Sequence, residues 1–377
     1  MRICLALLLL GWFPAAALAQ HQDLNAFVRS IEIGINAGDG DAIDSQMLLD
    51  TLLNRSLRSM RPKNSEERIT LNSMRNGMRS KFRLGGEIAG ALQGQLPWNG
   101  AYYPIRTYET GGVPHAVFGL FSVEGGINYH DFELVRLPEG YRILDCYVYA
   151  TGELMSETLR GVLQQIAPAG MSSIDDPDKG AALNIAQMRS LTQAGDYEGA
   201  LARFDALPPD WKRNKAIRIL AMKSAIELSD TLYLRHMQEY EQMFPGDPSL
   251  PLIQIDQFLY MEQYAQVNAS IDTLDARLGG DPALDMMRGF ISIIEGDRER
   301  SYGYFRRLQQ VRPDFLPVYP MLLNQCELDL DVQTAVSLLT QLNQRPDMGR
   351  DALEDLMASF PVLAETPEYE AWYQKAR

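Results

Sequence analysis

Two hydrophobic rhythms run along this chain, and the places where one gives way to the other divide it into parts. Leu24, Phe27, Val28, Ile31 and Ile35 recur at three- and four-residue steps, which predicts an amphipathic helix ending at Gly38-Asp39-Gly40. A second helix is expected over Asp41–Leu57. Pro62 then breaks the chain, and Asn64 with Glu67 forms a capping pair for a third helix. Its Leu71, Met74, Met78 and Phe82 share a face as far as Gly85-Gly86. From Gly100 the period shortens to two. Tyr102–Glu109, Val113–Val123, Ile127–Leu137 and Tyr141–Ala150 read as strands, parted by hairpin signals at Gly111-Gly112, Gly125-Gly126 and Pro138-Glu139-Gly140. A short helix over Glu153–Ile166 closes this part. Residues 20–166 are thus expected to form an α+β domain, its helices packed on one face of an antiparallel four-stranded meander.

Residues 167–180, with Pro168, Gly170, Ser172-Ser173 and Pro177, have the composition of a linker. Beyond them the helical rhythm returns with a long period. Turn residues Asp196, Ser229, Gln263, Asp297 and Asp331 follow one another at gaps of 33, 34, 34 and 34. Each is trailed by a break near Pro209, Pro245, Pro282, Pro313 or Pro346. A unit therefore consists of an apolar helix, a polar turn, a second apolar helix and a proline or Gly-Asp-Pro break. In the fourth unit Gly289 lets two helices approach, Gly296-Asp297 turns the chain, Ser301 is small at the crossing, and Phe305 and Leu308 fill the seam. The first unit repeats this with Gly195-Asp196-Tyr197, Ala200 and Phe204, and the fifth with Asp331, Ala335, Leu339 and Leu342. Units of this length bury their apolar faces only against neighbours, so the repeats over 181–350 predict an all-α stack of helical hairpins. Segments 351–360 and 367–376 read as closing helices within a C-terminal cap, residues 351–377.

This period and its Gly-Asp, small, aromatic and Pro spacing resemble the tetratricopeptide repeat family over residues 181–347. Leu228-Ser229 and Gln263 depart from the turn pattern, which leaves related helical-repeat families open. The resemblance implies a solenoid whose first helices line a concave groove for a protein or peptide partner. In that register the groove would present Lys215, Arg218, Met222, Leu252, Asp256 and Leu259, then Tyr260, Met286, Phe290, Ile293, Ile294 and Asn324. An apolar centre such as Leu259, Tyr260, Phe290, Ile293 and Ile294 marks an interface; with the register displaced by one residue the same side chains are core. By order of elements, residues 23–166 resemble the cone-shaped fold of the nuclear-transport-factor-2-like and cystatin-like group. The strand usual between the early helices of that fold is not visible in the sequence.

The cone resemblance raises a chemical alternative. Alternation places Tyr129, Asp131 and Glu133 on one face of the third strand, opposite His130 and Phe132, while Asp145, Tyr147 and Tyr149 share a face of the fourth. If Tyr129, Asp131, Asp145 and Tyr147 turned into the cone they would form a polar pocket, where a buried carboxylate gains a raised pKa and can act as a base. Charged residues on a sheet face more often meet water. The sequence contains no nucleophile elbow, phosphate loop, metal signature or dinucleotide fingerprint, and no cofactor is implied.

Charge and terminal composition narrow the setting. Residues 171–377 carry 20 basic and 32 acidic groups, a net of −12, which disfavours nucleic acid and anionic lipid. Against this, nine Lys or Arg and two Glu lie between Arg55 and Arg83, with Arg68, Arg75, Arg79 and Arg83 at helical spacing. That stripe is either an anion-binding patch, a surface that docks on the acidic repeats, or a solvated helix face. Arg2, the apolar run over residues 3–10 and Ala17-Leu18-Ala19 before Gln20 make a secretory signal over 1–19. The expectation is a bacterial periplasmic protein, secreted without an integral membrane segment. Cys146 and Cys326, far apart in sequence, are expected as buried unpaired thiols. The sequence thus predicts an exported, non-catalytic adaptor or scaffold. A cone domain that binds or transforms a small molecule, and a structural homo-oligomer, are the alternatives.

Overall fold

The computed structural model describes residues 15–58, 60–92, 97–122, 126–166, 179–346 and 348–376. The apolar run of the expected signal and residues 167–178 of the expected linker lie outside them. The chain enters through α1 (Ala15–Asn36), which continues past the expected cleavage point at Ala19-Gln20. The second predicted helix is split into α2 (Asp41–Asp44) and α3 (Leu49–Ser56). Between them Met47 bridges in parallel to Ile143, with Leu48 N–H donating to Ile143 O at 2.8 Å and Ile143 N–H to Gln46 O at 2.9 Å. Sheet hydrogen bonding thus overrides helical pattern there. Helix α4 (Ser65–Lys81) begins at the expected cap, where Glu67 N–H donates to Asn64 Oδ1 at 2.8 Å. Gly85 and Gly86, expected to stop a helix, instead open α5 (Leu84–Leu92), because Gly85 lies too close to the Gly40 carbonyl for any side chain.

Strands β1 (Gly100–Thr110), β2 (Val113–Ser122), β3 (Gly126–Leu137) and β4 (Gly140–Val148) form the predicted antiparallel meander. A two-residue β5 (Glu153–Leu154), absent from the sequence reading, extends it before α6 (Met155–Ile166). Two bulges interrupt the ladder, leaving Ile105 of β1 and Leu144 of β4 without partners. At the β1 edge the Asn36 amide takes both free backbone groups of Tyr102, accepting from its N–H at 2.9 Å and donating to its carbonyl at 2.6 Å. At that position the edge is closed to pairing with another chain. One sheet face carries Tyr102, Phe118, Phe132, Ile143 and Cys146 into a core completed by Ile31 and Ile35 of α1, Leu52 and Leu53 of α3 and Ile88 of α5.

The second half is all-α. Helices α7 (Lys179–Gln193) and α8 (Tyr197–Asp205), α9 (Lys215–Ile226) and α10 (Asp230–Met243), α11 (Leu250–Tyr260) and α12 (Tyr264–Leu278) pack as pairs. So do α13 (Leu284–Ile294) with α14 (Arg298–Val311) and α15 (Val318–Asp329) with α16 (Val332–Asn343). The five punctuation residues of the sequence are the N-caps of α8, α10, α12, α14 and α16. Asp196, Ser229, Asp297 and Asp331 each accept from a backbone N–H three residues on, whereas Gln263 makes no such bond. The physical content of the repeat is therefore a helix start, whose free N–H groups need an acceptor. Helices α17 (Arg350–Met357), α18 (Pro361–Ala364) and α19 (Pro367–Tyr373) close the far end over α15 and α16.

Candidate functional site

The sheet's second face does not meet water. Val117, Tyr129 and Tyr149 share a core with Leu252, Ile255, Leu274 and Leu278 of the helix pairs. Trp98, Tyr103 and Phe121 join another with Met286, Phe315 and Val318. The sheet is thus a middle layer between the N-terminal helices and the helix pairs. Gly119 makes this possible on β2, because the Tyr103 ring from the neighbouring strand lies where its Cβ would be, 2.3 Å from the ring carbon bearing the hydroxyl.

Two aspartates fasten the layers. Asp281 is 2% exposed, and its Oδ2 accepts from Tyr129 OH at 2.9 Å and Tyr103 OH at 3.1 Å. Its Oδ1 accepts from Ala283 N–H at 3.0 Å. Burial pushes this carboxyl up to about 6 against the hydrogen bonds that oppose the shift, and it pushes both tyrosines far above their usual range. One repeat earlier, Asp247 Oδ1 accepts from Tyr147 OH at 2.9 Å and from Ser249 N–H at 2.9 Å. Burial would raise Asp247 too, but the paired Lys215 ammonium and the Ser249 bonds outweigh it and hold the carboxyl below its usual value. Arg106 adds a third fastening, donating to Arg277 O at 2.9 Å.

This geometry corrects the predicted pocket. Tyr129 and Tyr147 face the helix pairs and spend their hydroxyls on Asp281 and Asp247. Asp131, on the same side, accepts from Tyr108 OH at 2.5 Å and contacts His115 Nδ1 at 2.9 Å. Asp145 is fully buried beside the β4 bulge, accepting from Cys146 N–H at 2.9 Å, Ser156 N–H at 3.1 Å and the Arg55 guanidinium at 3.1 Å. The four do not surround a cavity, because the face expected to close on itself is claimed by the second half of the chain.

The predicted groove is divided by the same contact. Leu252 and Met286 are buried in cores shared with the sheet, and Leu259 is half-buried beside the first of them. Met222 lies in the core of the first pairs. Arg218 is buried, donating to Glu239 at 2.7 Å and to Lys212 O at 2.6 Å. Lys215 holds Asp247, Phe290 leans on Phe305 with ring centroids 5.9 Å apart, and Asn324 donates to Tyr302 OH at 3.3 Å. Tyr260, Ile293 and Ile294 remain open to solvent, at 53%, 48% and 54% exposure.

Asp256 is solvent-accessible in a cleft of about 590 Å³ where the ends of β2 and β3 face α9 and α11. The cleft walls strip water from it and raise its carboxyl, opposed by Lys223. A second cleft of about 540 Å³ lies on the helix side of the sheet and shares Leu120, Asn128 and Ala150 with the first. The basic stripe runs along exposed α4, where Arg75 and Arg79 both pair with Asp50 and Arg83 donates to Phe82 O at 2.6 Å. Arg68 is exposed, and the one carboxylate that Arg75 and Arg79 share leaves the stripe net positive. Cys146 and Cys326 are free and buried.

Sequence reasoning missed Asp247 and Asp281 as the fastening residues. Their signal was present: both are the central residue of a Gly-Asp-Pro break, Gly246-Asp247-Pro248 and Gly280-Asp281-Pro282, one repeat apart. Among the described residues no cluster of His, Cys, Asp or Glu has the arrangement to hold a metal ion, and no helix is long and apolar enough to cross a membrane. No protein-family model, curated protein or solved structure matches the chain.

Proposed function

We propose that the protein is an exported, non-catalytic adaptor of the bacterial cell envelope, whose tetratricopeptide-type repeats hold a protein or peptide partner. The interior of the groove is occupied by the chain's own sheet, so the partner docks on the rim that the sheet leaves uncovered. One observation carries this reading. Tyr260 and Ile294 end α11 and α13, Leu328 is the last residue but one of α15, the spacings are 34 residues, and all three are more than half exposed. Ile226, a further 34 residues upstream, is half-buried at the end of α9. A periodic row of large apolar side chains on one edge is a surface prepared for contact. The acidic surroundings favour a partner segment that is apolar and cationic.

The test places a photo-reactive amino acid at Ile293 and cross-links in the intact envelope, with Tyr260→Glu and Ile294→Glu combined as the disrupting variant. Both side chains point to solvent, so the variant keeps its melting temperature, unlike a charge at Phe290. A recurrent foreign protein that disappears in the variant supports the adaptor. Capture that survives with the row charged sinks it.

A further inference from the structure

Lys223 of α9 and Asp256 of α11 line one cleft, where the ends of β2 and β3 face these helices. Both are exposed, and among the described residues neither forms an ion pair or a hydrogen bond, with the other or with any third group. They still feel one another, since the Lys223 charge opposes the rise that lost hydration imposes on Asp256. Tyr233 of α10 lines the same cleft. Its ring is buried, yet its hydroxyl has no partner among the described residues and keeps access to solvent. Burial raises this phenol and the Asp256 charge adds to the rise, which sets the hydroxyl near the carboxylate.

The walls between these groups are mixed. Half-buried Ile219, Ile226 and Ile253 on the helix side and Leu120 and Ile127 on the strand side present apolar surface. Ser122 and Asn128 add polar atoms on the strand side. A hydrocarbon tail would leave both charges unmatched, and a ligand of one charge would meet one of them and be repelled by the other. A small ion of both signs matches both. We propose that this cleft binds an apolar dipeptide with free ends: its ammonium donates to Asp256 and Tyr233, its carboxylate accepts from Lys223, and its side chains lie along Ile219 and Ile253. A cleft of about 590 Å³ has the size to enclose most of such a ligand. Both ends must be free, which sets this ligand apart from a segment inside a partner protein. The proposal does not rest on docking at the row of Tyr260, Ile294 and Leu328.

The experiment is titration calorimetry of the full chain at neutral pH and low salt with Leu-Leu, N-acetyl-Leu-Leu and Leu-Leu amide. Leu-Leu binds, and blocking either end weakens it about tenfold or more, the value of one hydrogen bond to a charged group. Asp256→Asn removes the preference for the free ammonium, so that Leu-Leu and its acetylated form bind alike. Lys223→Glu reverses the preference at the other end, and the amide then binds tighter than Leu-Leu. Both substituted side chains are exposed, so the variants keep their melting temperatures. Ile294→Glu with Leu328→Glu leaves every value unchanged, and Asp256→Asn leaves cross-linking from position 293 unchanged, so this reading and the adaptor fail separately. No heat from Leu-Leu at millimolar concentration overturns the proposal. Equal binding of the blocked and free dipeptides by the unaltered protein overturns it as well, as does a preference that survives both charge variants.

Discussion

Tyr129 on the central strand β3 donates to Asp281 at the break between α12 and α13, across 152 residues of chain. The bond is wholly buried, so the two halves of the protein share one hydrogen-bonded core. Removing the acceptor with Asp281→Ala strands the hydroxyls of both Tyr103 and Tyr129 and is expected to cost about 2–4 kcal/mol. Tyr129→Phe alone costs about 1 kcal/mol. Urea unfolding of the single and double variants gives the test. A coupling energy near zero in the cycle would mean the layers are held by apolar packing alone.

The same carboxylate makes the clasp sensitive to acid, in an unusual direction. With a folded pKa near 6 against an ordinary 3.8, Asp281 binds its proton more readily in the folded chain. Its contribution to stability therefore increases as pH falls through the window from 6 to 4, by about 3 kcal/mol at most. His130 works against it: its folded pKa is about 4 against 6.5, so stability is lost as pH falls through that window. The unaltered protein is expected to show a flattened profile between pH 4 and 6.5. Asp281→Asn should steepen the loss on acidification and His130→Leu should reduce it, read as urea midpoints across that range. Parallel profiles for all three would refute the assignment.

Gly119 is bare because Tyr103 crosses it on the way to Asp281. Gly119→Ala pushes that ring aside and is expected to destabilise by about 1–3 kcal/mol. Tyr103→Leu in the same chain should remove most of the penalty. Thermal melts of the two single variants and the pair decide it, and full additivity would show that the ring is not what the methyl meets.

The cap series offers a graded test of the repeats. Asp297→Ala and Asp331→Ala each lose a bond to a helix N-terminus and should cost about 1 kcal/mol. Gln263 stands at the same register without that bond, so Gln263→Asp should stabilise by about 0.5–1 kcal/mol. A melt of each variant checks the order, which fails if Gln263→Asp is neutral while the alanines are costly.

Most of the elements were legible because each has a local cause. Asn64, Asp196, Ser229, Asp297 and Asp331 mark helix starts by chemistry that acts over three residues. What the sequence concealed was the partner of the sheet's second face. Tyr103, Tyr129, Tyr147 and Tyr149 alternate like a face that meets water or lines a pocket, since a tyrosine is compatible with either. The counter-signal lay in β2, where Ala116, Val117, Phe118, Leu120 and Phe121 run almost without polar interruption, as a strand covered on both sides must. The unpaired Leu144 further obscured Asp145, because a bulge resets the alternation by which faces are read. Groove residues were assigned in register, but no local pattern says that a groove will be filled from within the same chain.

Those tyrosines also bear on how the protein is made. The sheet emerges first, and the helices that cover its second face lie more than a hundred residues behind, a lag on the order of ten seconds at ordinary rates of synthesis. During that interval the uncovered face must tolerate water without adhering to other chains. Leucines or phenylalanines at 103, 129 and 147 would leave a greasy plate exposed, whereas phenol groups hydrate while they wait and exchange that water for Asp247 and Asp281 when the helices arrive. The composition of the buried face thus answers to the unfinished chain as much as to the finished one.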